Sequence, residues 1–470
     1  MLRNNCFMRM RRLRRRAQII SLPPNNENGA GKVQTITRKE PLQGVGLTCI
    51  QTDKFKTGCL TINIISGLAR ETAAYNALLP QVLRRGAEKH PDMDSIAAAL
   101  DELYGARIEP MVRKKGELHS IGFYADFPDD RFIPGAREAK PARSILEETA
   151  ALLGELLLSP CMDDGLLRAD YIESEKSNLI DDIRAAINDK RGYSIDRLVE
   201  EMCAGEPYGV SKLGSEDEAR KITPETLTAH YNNLIRSSRI EAFYCGCADP
   251  EAAEAALVLA LGALPKREIA AAPKTGVALR PPQSPPRRFT EELDVTQGKL
   301  TVGFRLGEAM ETPSYPVMMV FNAVYGGSLT SKLFMNVRER LSLCYYASSM
   351  LDKHKGVMLV ASGVDFSKID TALEEMLAQL DNVKKGEVSD WELAAAKSYI
   401  ITSLQLAMDR SGGLEEMYFD SSVSAIPYDP MGLCAEIESV TTESVTRFAS
   451  GIEPDSIFTL TGKDGEADEL

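Results

Sequence analysis

Apolar alternation and helical spacing follow one another along this chain in an order that occurs twice. In the first half, apolar-rich runs over 60–66, 107–112 and 118–127 read as strands. They flank helical patterns near 73–86 and 93–104, where Ile96, Leu100 and Leu103 share one face, as a helix lying on a sheet requires. Helical patterns near 143–158, 165–189, 192–203 and 224–235 follow, before a strand returns over 240–245. Strands separated by helices with hairpin-like returns predict an α+β two-layer sandwich.

The second half repeats the first. Residues 60–75, read as strand, acidic-polar loop and helix start, return as 300–315 at an unbroken offset of 240. Asp126-Phe127 is echoed by Asp365-Phe366, and Leu146-Glu147-Glu148 by Leu373-Glu374-Glu375. Thr223 with Glu225 parallels Thr441 with Glu443, each read as a capping box built on a Thr and a Glu. The period far exceeds that of solenoid repeats, so the pattern predicts two duplicated domains. Five prolines between 270 and 288 mark a semi-extended linker between them. The expected organisation is a disordered basic tail and lead-in over 1–44, one folded unit over 45–267, the linker over 268–289, and a second unit over 290–470.

Composition narrows the classes. The 55 basic and 68 acidic side chains leave a net charge of −13, which disfavours nucleic acid and anionic membrane as main partners. No stretch approaches the roughly 18 apolar residues of a membrane span. Nine scattered cysteines point to reduced thiols in a cytoplasmic setting rather than a disulfide framework. The close pair Cys245 and Cys247 reads as strand-end cysteines, not a metal clip. The four histidines (His90, His119, His230, His354) are too far apart in sequence for a local zinc pair, and each reads as a surface or turn residue. Residues 1–16 are basic and acid-free, and the apolar run after them is too short for a signal peptide.

The segment 71–105 carries the most specific chemistry by what it lacks. A small-residue start leads into a helix that closes at Gly86-Ala87-Glu88-Lys89. The segment resembles the active-site helix of the pitrilysin/insulinase-type (M16-like) zinc metallopeptidases, which carries His-x-x-Glu-His before a Gly-Thr-Glu-Lys-like turn. Counting back from the turn aligns Ala77 and Gln81 with the two histidines and Pro80 with the glutamate. Two imidazoles at i and i+4 grip one zinc while the glutamate polarises its water. Methyl, carboxamide and pyrrolidine groups do neither. The family's remaining ligand, a glutamate on a later helix, aligns with Asp182, and Glu175 lies two turns earlier on the same face; both are expected to cap, meet solvent or pair with Arg184 and Lys176. Pro80 inside the helix predicts that it is bent or starts late.

A second run strengthens the resemblance. From Tyr325-Gly326-Gly327 through Phe334, Val337-Arg338-Glu339 and Tyr345, the chain reads Gly-Gly-x-x-x-Ser-x-Leu-Phe-x-x-Val-Arg-Glu and then Leu-x-Tyr, which resembles the family's pattern in this place. Gly326-Gly327 permits a tight turn into a helix that Ser328 can cap, with Leu333, Phe334 and Val337 as its buried face. By resemblance, Arg338 and Tyr345 line the peptide channel and bind substrate. A guanidinium and a phenol suit a carbonyl that becomes an oxyanion. The alternative for the pair is an Arg338–glutamate ion pair and a core tyrosine.

The resemblance implies two duplicated pitrilysin-like domains forming half of a clamshell, and a non-catalytic subunit that binds no metal itself. The implied partners are a catalytic pitrilysin-type subunit that holds the zinc and a peptide or protein substrate. Other readings are a purely structural core-type subunit or a mitochondrial processing-peptidase-like non-catalytic subunit. Segments near 54–58, 104–106, 113–119 and 201–208 resemble a Bacillus-type subgroup associated with 5-aminopentanol modification of elongation factor P.

Overall fold

The computed structural model describes residues 18–20, 33–133, 144–310, 312–424 and 429–462. Most of the 1–44 span lies outside these residues, but it contains two strands, β1 (Gln18–Ile20) and β2 (Val33–Leu42). β3 (Val45–Thr52) and β4 (Thr57–Gly67) lead into helices α1 (Arg70–Leu83) and α2 (Met93–Glu102). The hairpin β5 (Arg107–Lys115) and β6 (Leu118–Pro128) follows. Next come α3 (Ile145–Leu158), α4 (Ala169–Ala185), α5 (Lys190–Met202), α6 (Pro224–Ser237), β7 (Arg239–Gly246) and α7 (Pro250–Ala260).

Beyond the proline-rich segment the chain forms β8 (Arg287–Glu292), β9 (Gly298–Arg305), α8 (Tyr315–Asn322), β10 (Cys344–Asp352) and β11 (Val357–Val364). Helices α9 (Ile369–Lys384), α10 (Asp390–Met408), α11 (Ser411–Ser424), α12 (Pro430–Ser439) and α13 (Thr442–Ala449) precede the last strand, β12 (Glu453–Thr461).

The two large sheets share one plan. The first has the order β1-β2-β3-β7-β4-β6-β5, the second β8-β12-β9-β11-β10. In each, a parallel pair (β3 with β7, β8 with β12) is followed by three antiparallel neighbours. This is the α+β architecture that the alternation of periods predicts.

Helices of the same half cover one face of each sheet, Ile96 and Leu100 of α2 turning inward at 0% and 7% exposure. The other face receives a helix from the opposite half. Leu198, Val199 and Met202 of α5 pack on Val357, Leu359, Phe458 and Leu460 of the second sheet. Gly303 of β9 lets α5 approach closely here, since a Cβ on it would stand 2.4 Å from Met202 Sδ and push that side chain aside. Reciprocally, Leu414, Met417 and Tyr418 of α11 lie on Phe243, Cys245 and Cys59 of the first sheet, with Tyr418 stacked on Phe243. The apolar burial of each half is therefore completed by the other.

Caps set the helix starts. Ser144, Thr223, Ser389 and Thr441 each accept a hydrogen bond from the N3 amide. At Thr223 and Thr441 the reciprocal partners are Thr226 and Ser444 rather than the glutamates expected. Glu225 instead accepts from the Thr223 hydroxyl at 2.7 Å.

Candidate functional site

Helix α1 carries the positions aligned with the zinc motif. It begins at Arg70, so it does not start late, and Pro80 sits in its last turn. There the proline forfeits only the amide bond to the Asn76 carbonyl, and the Arg84 amide still bonds the Pro80 carbonyl at 3.1 Å. Ala77 is packed in the core at 2% exposure, Pro80 is buried, and Gln81 faces solvent.

Against α1 lies α4. Glu175 accepts from Arg85 Nη1 at 3.1 Å and from Asn178 at 3.0 Å. The Arg85 guanidinium also sits 5.5 Å from the centre of the Tyr171 ring. Asp182 is exposed and makes no ion pair among the described residues. Of the expected roles, Asp182 meets solvent, and the pairings with Lys176 and Arg184 do not form: Lys176 bonds Glu173 at 2.6 Å and Arg184 bonds Glu216 at 2.6 Å. Instead Glu175 meets Arg85, just beyond the end of α1, and Arg184 meets Glu216, the first residue of a short helix over Glu216–Arg220. Among the described residues, no group of three or more His, Cys, Asp and Glu is arranged to hold a metal ion.

The second aligned pair is accessible. Residues Leu333–Arg340 form a widened π-type helical turn, in which the Leu341 amide reaches back to the Asn336 carbonyl at 3.1 Å. Ser331 caps this turn by accepting from the Phe334 amide, whereas the Ser328 hydroxyl donates to Ala323 and closes the preceding turn. Leu333 and Val337 are fully buried and Phe334 is half-buried beneath Arg338, whose guanidinium stands 4.7 Å from the ring centre. Arg338 meets Glu339 only at 3.6 Å. Tyr345 is 62% exposed, at a register break in the edge strand β10. It is not a core tyrosine.

A buried polar cluster behind α1 was not legible. Asn76 Nδ2 donates to His119 Nδ1 at 3.0 Å, and Asn76 Oδ1 accepts from His230 Nε2 at 2.8 Å. Burial pushes both imidazoles down to about 4. His119 is fully buried and His354, bonded to Asp420 at 3.0 Å, nearly so. Two of the four histidines are thus interior rather than surface residues. The signal available was the position of His119 in an apolar strand; the bridging asparagine comes from a distant helix.

A family described as the peptidase M16 inactive domain matches residues 221–400. The chain is 31% identical to the probable inactive metalloprotease YmfF of Bacillus subtilis (strain 168), over 89% of this chain and 97% of that protein. It belongs to the peptidase M16 family. Within that family it is an inactive metallopeptidase homologue. The fold agrees with a conserved protein from Enterococcus faecalis V583 (TM-score 0.82, 25% identity, covering 93% of this chain and all of that one). An M16 inactive-domain structure from Pseudomonas fluorescens shares the fold at a TM-score of 0.71 and 15% identity, over 91% of this chain and 98% of that one. No helix among the described residues is long and apolar enough to cross a membrane.

Proposed function

We propose that this M16 homologue is the non-catalytic subunit of a two-chain cytoplasmic zinc peptidase, shaping the peptide chamber and contacting substrate while a sister chain holds the zinc. The observation that carries this is the α1–α4 contact. Where the family presents imidazoles and a carboxylate, α1 presents a core-packed Ala77, a buried Pro80 and the carboxamide of Gln81. Beyond them the Arg85 guanidinium is bonded to Glu175. These residues do not fit a zinc ion: two offer no donor atom, the amide is a poor ligand, and a fixed cation stands close by. No catalytic step runs through this chain's own metal.

Arg338 and Tyr345 are the substrate-contacting residues. Both keep their polar groups accessible, on a π-type turn and a strand irregularity, places where side chains are aimed rather than packed. A guanidinium held over Phe334 supplies hydrogen-bond donors to a peptide carbonyl. The resemblance to the Bacillus-type subgroup ties the complex to 5-aminopentanol modification of elongation factor P.

Co-expression with a His-x-x-Glu-His homologue from the same genome tests the reading. The two chains are expected to co-purify in equal amounts with zinc in the sister chain alone. Loss of the gene is expected to change the mass of elongation factor P. A chain that remains alone beside every such homologue contradicts the proposal.

A further inference from the structure

The helix pair that carries the lost zinc motif has a counterpart in the second half. By place in the shared element order, α8 answers to α1 and α10 to α4. In the first half Arg85 and Glu175 bridge the pair. In the second half the two helices and β10 enclose a cavity of about 330 Å³, with the exposed Tyr399 and Ser403 of α10 at its rim. Met319 of α8, Leu351 of β10, and Ile400 and Leu404 of α10 give it apolar walls.

The two ends of the cavity differ in charge. At one end Lys353, in the turn after β10, bonds the hydroxyl of Tyr315, the first residue of α8. At the other end stand the amide of Asn322, the last residue of α8, and Gly327, the last residue of a π-type turn over Ala323–Gly327. A Cβ on Gly327 would stand 2.4 Å from Asn322 Nδ2, so the glycine keeps that neutral end open. Seven residues of helix separate Tyr315 from Asn322, which sets the ends about 10 Å apart. Lys353 is the only charged residue among those lining the cavity. Its ion-pair partner Asp420, at 2.5 Å, is shared with Lys115 and His354, each at 3.0 Å. One carboxylate is thus divided among three cationic or donor groups, and the charged end stays receptive to a second anion.

We propose that this cavity binds a medium-chain monocarboxylate, with its carboxylate at Lys353 and its alkyl chain along α8 toward Gly327. The occupant follows from shape and charge together. One ammonium at one end calls for one negative charge, and the apolar walls beyond it call for hydrocarbon. At roughly 30 Å³ per non-hydrogen atom, the volume holds about ten such atoms, the size of an eight-carbon acid. The site uses neither Arg338 nor Tyr345 and does not rest on the two-chain reading.

Calorimetric titration of the full chain with octanoate, 1-octanol and octylamine tests the site, because the three share an alkyl chain and differ in head group. Expected is one octanoate per chain with a Kd of about 1 mM or tighter, and binding about tenfold weaker or less for the alcohol and the amine. Lys353→Met should weaken octanoate about tenfold and leave octanol unchanged, and Asp420 keeps Lys115 and His354 in that variant. Ser403→Trp should block the rim and abolish octanoate binding. The Ser403 hydroxyl donates only to the Tyr399 carbonyl of its own helix at 2.8 Å, so the fold should persist, as thermal melts would show. Octanol or octylamine bound as tightly as octanoate would overturn the proposal. So would octanoate bound equally by Ser403→Trp, or not bound by the wild type. Arg338→Ala is expected to leave octanoate binding unchanged, so failure here and failure of the two-chain reading are separable.

Discussion

Arg113 on β5 donates through Nη1 to Glu415 on α11 at 2.9 Å, tying the first sheet to a helix of the second half. Glu415 has only 2% of its side chain exposed and also accepts from Thr61 Oγ1 at 3.1 Å. Burial raises its carboxyl above the usual range, and Arg113 opposes that shift. Arg113→Ala should therefore cost roughly 3–5 kcal/mol, because it strands a buried carboxylate. Arg113→Met combined with Glu415→Leu should recover most of that loss. Urea unfolding of the three proteins checks both outcomes.

The histidine cluster predicts a pH dependence. His119 Nδ1 must stay unprotonated to accept from Asn76, and burial holds the ring near 4 against an ordinary value of 6.5. A histidine with a depressed folded-state pKa stabilises the fold above its unfolded-state value and loses that contribution as pH falls through the window between the two. At 1.36 kcal/mol per unit, His119 contributes on the order of 3 kcal/mol at neutral pH, lost between about pH 6.5 and 4. His230 acts in the same direction. Urea midpoints should fall from pH 7 to pH 5, and His119→Gln should flatten that slope.

Restoring imidazoles alone should not restore a zinc site. Ala77 is 2% exposed within the first core, so histidine there overpacks it. Ala77→His with Gln81→His should lower stability by about 1–3 kcal/mol. It should also bind no stoichiometric zinc while Arg85 remains. Thermal melts and metal analysis read the two effects separately.

In the assembled complex, Arg338→Ala should reduce peptide turnover by about 10²-fold, the scale of losing one donor to a developing oxyanion. Subunit assembly should be unchanged, because Arg338 lies at an exposed turn. Steady-state kinetics with size-exclusion chromatography distinguish this contact role from a structural one.

Much of the fold was readable because the signals were local. The expected strand over 118–127 and helix over 224–235 stand as Leu118–Pro128 and Pro224–Ser237. Alternation marks the first; Thr223 and Pro224 fix the start of the second. What was not readable depends on distant partners. Nothing in the spacing of Leu198, Val199 and Met202 says that α5 leaves its own half for the second sheet. Nor does Leu333–Arg340 announce a widened turn, because its residues suit an ordinary helix equally well. For the site, the replaced positions on α1 could be counted from the Gly86 turn. The Arg85–Glu175 contact needed the fold, since it joins side chains 90 positions apart.

Metal content and peptidase activity of the purified full-length chain, alone and with its sister subunit, test the central claim most directly. The account predicts no stoichiometric zinc and no hydrolysis by the chain alone, with both appearing when the sister chain is present. Stoichiometric zinc accompanied by peptide hydrolysis in the isolated chain would contradict it.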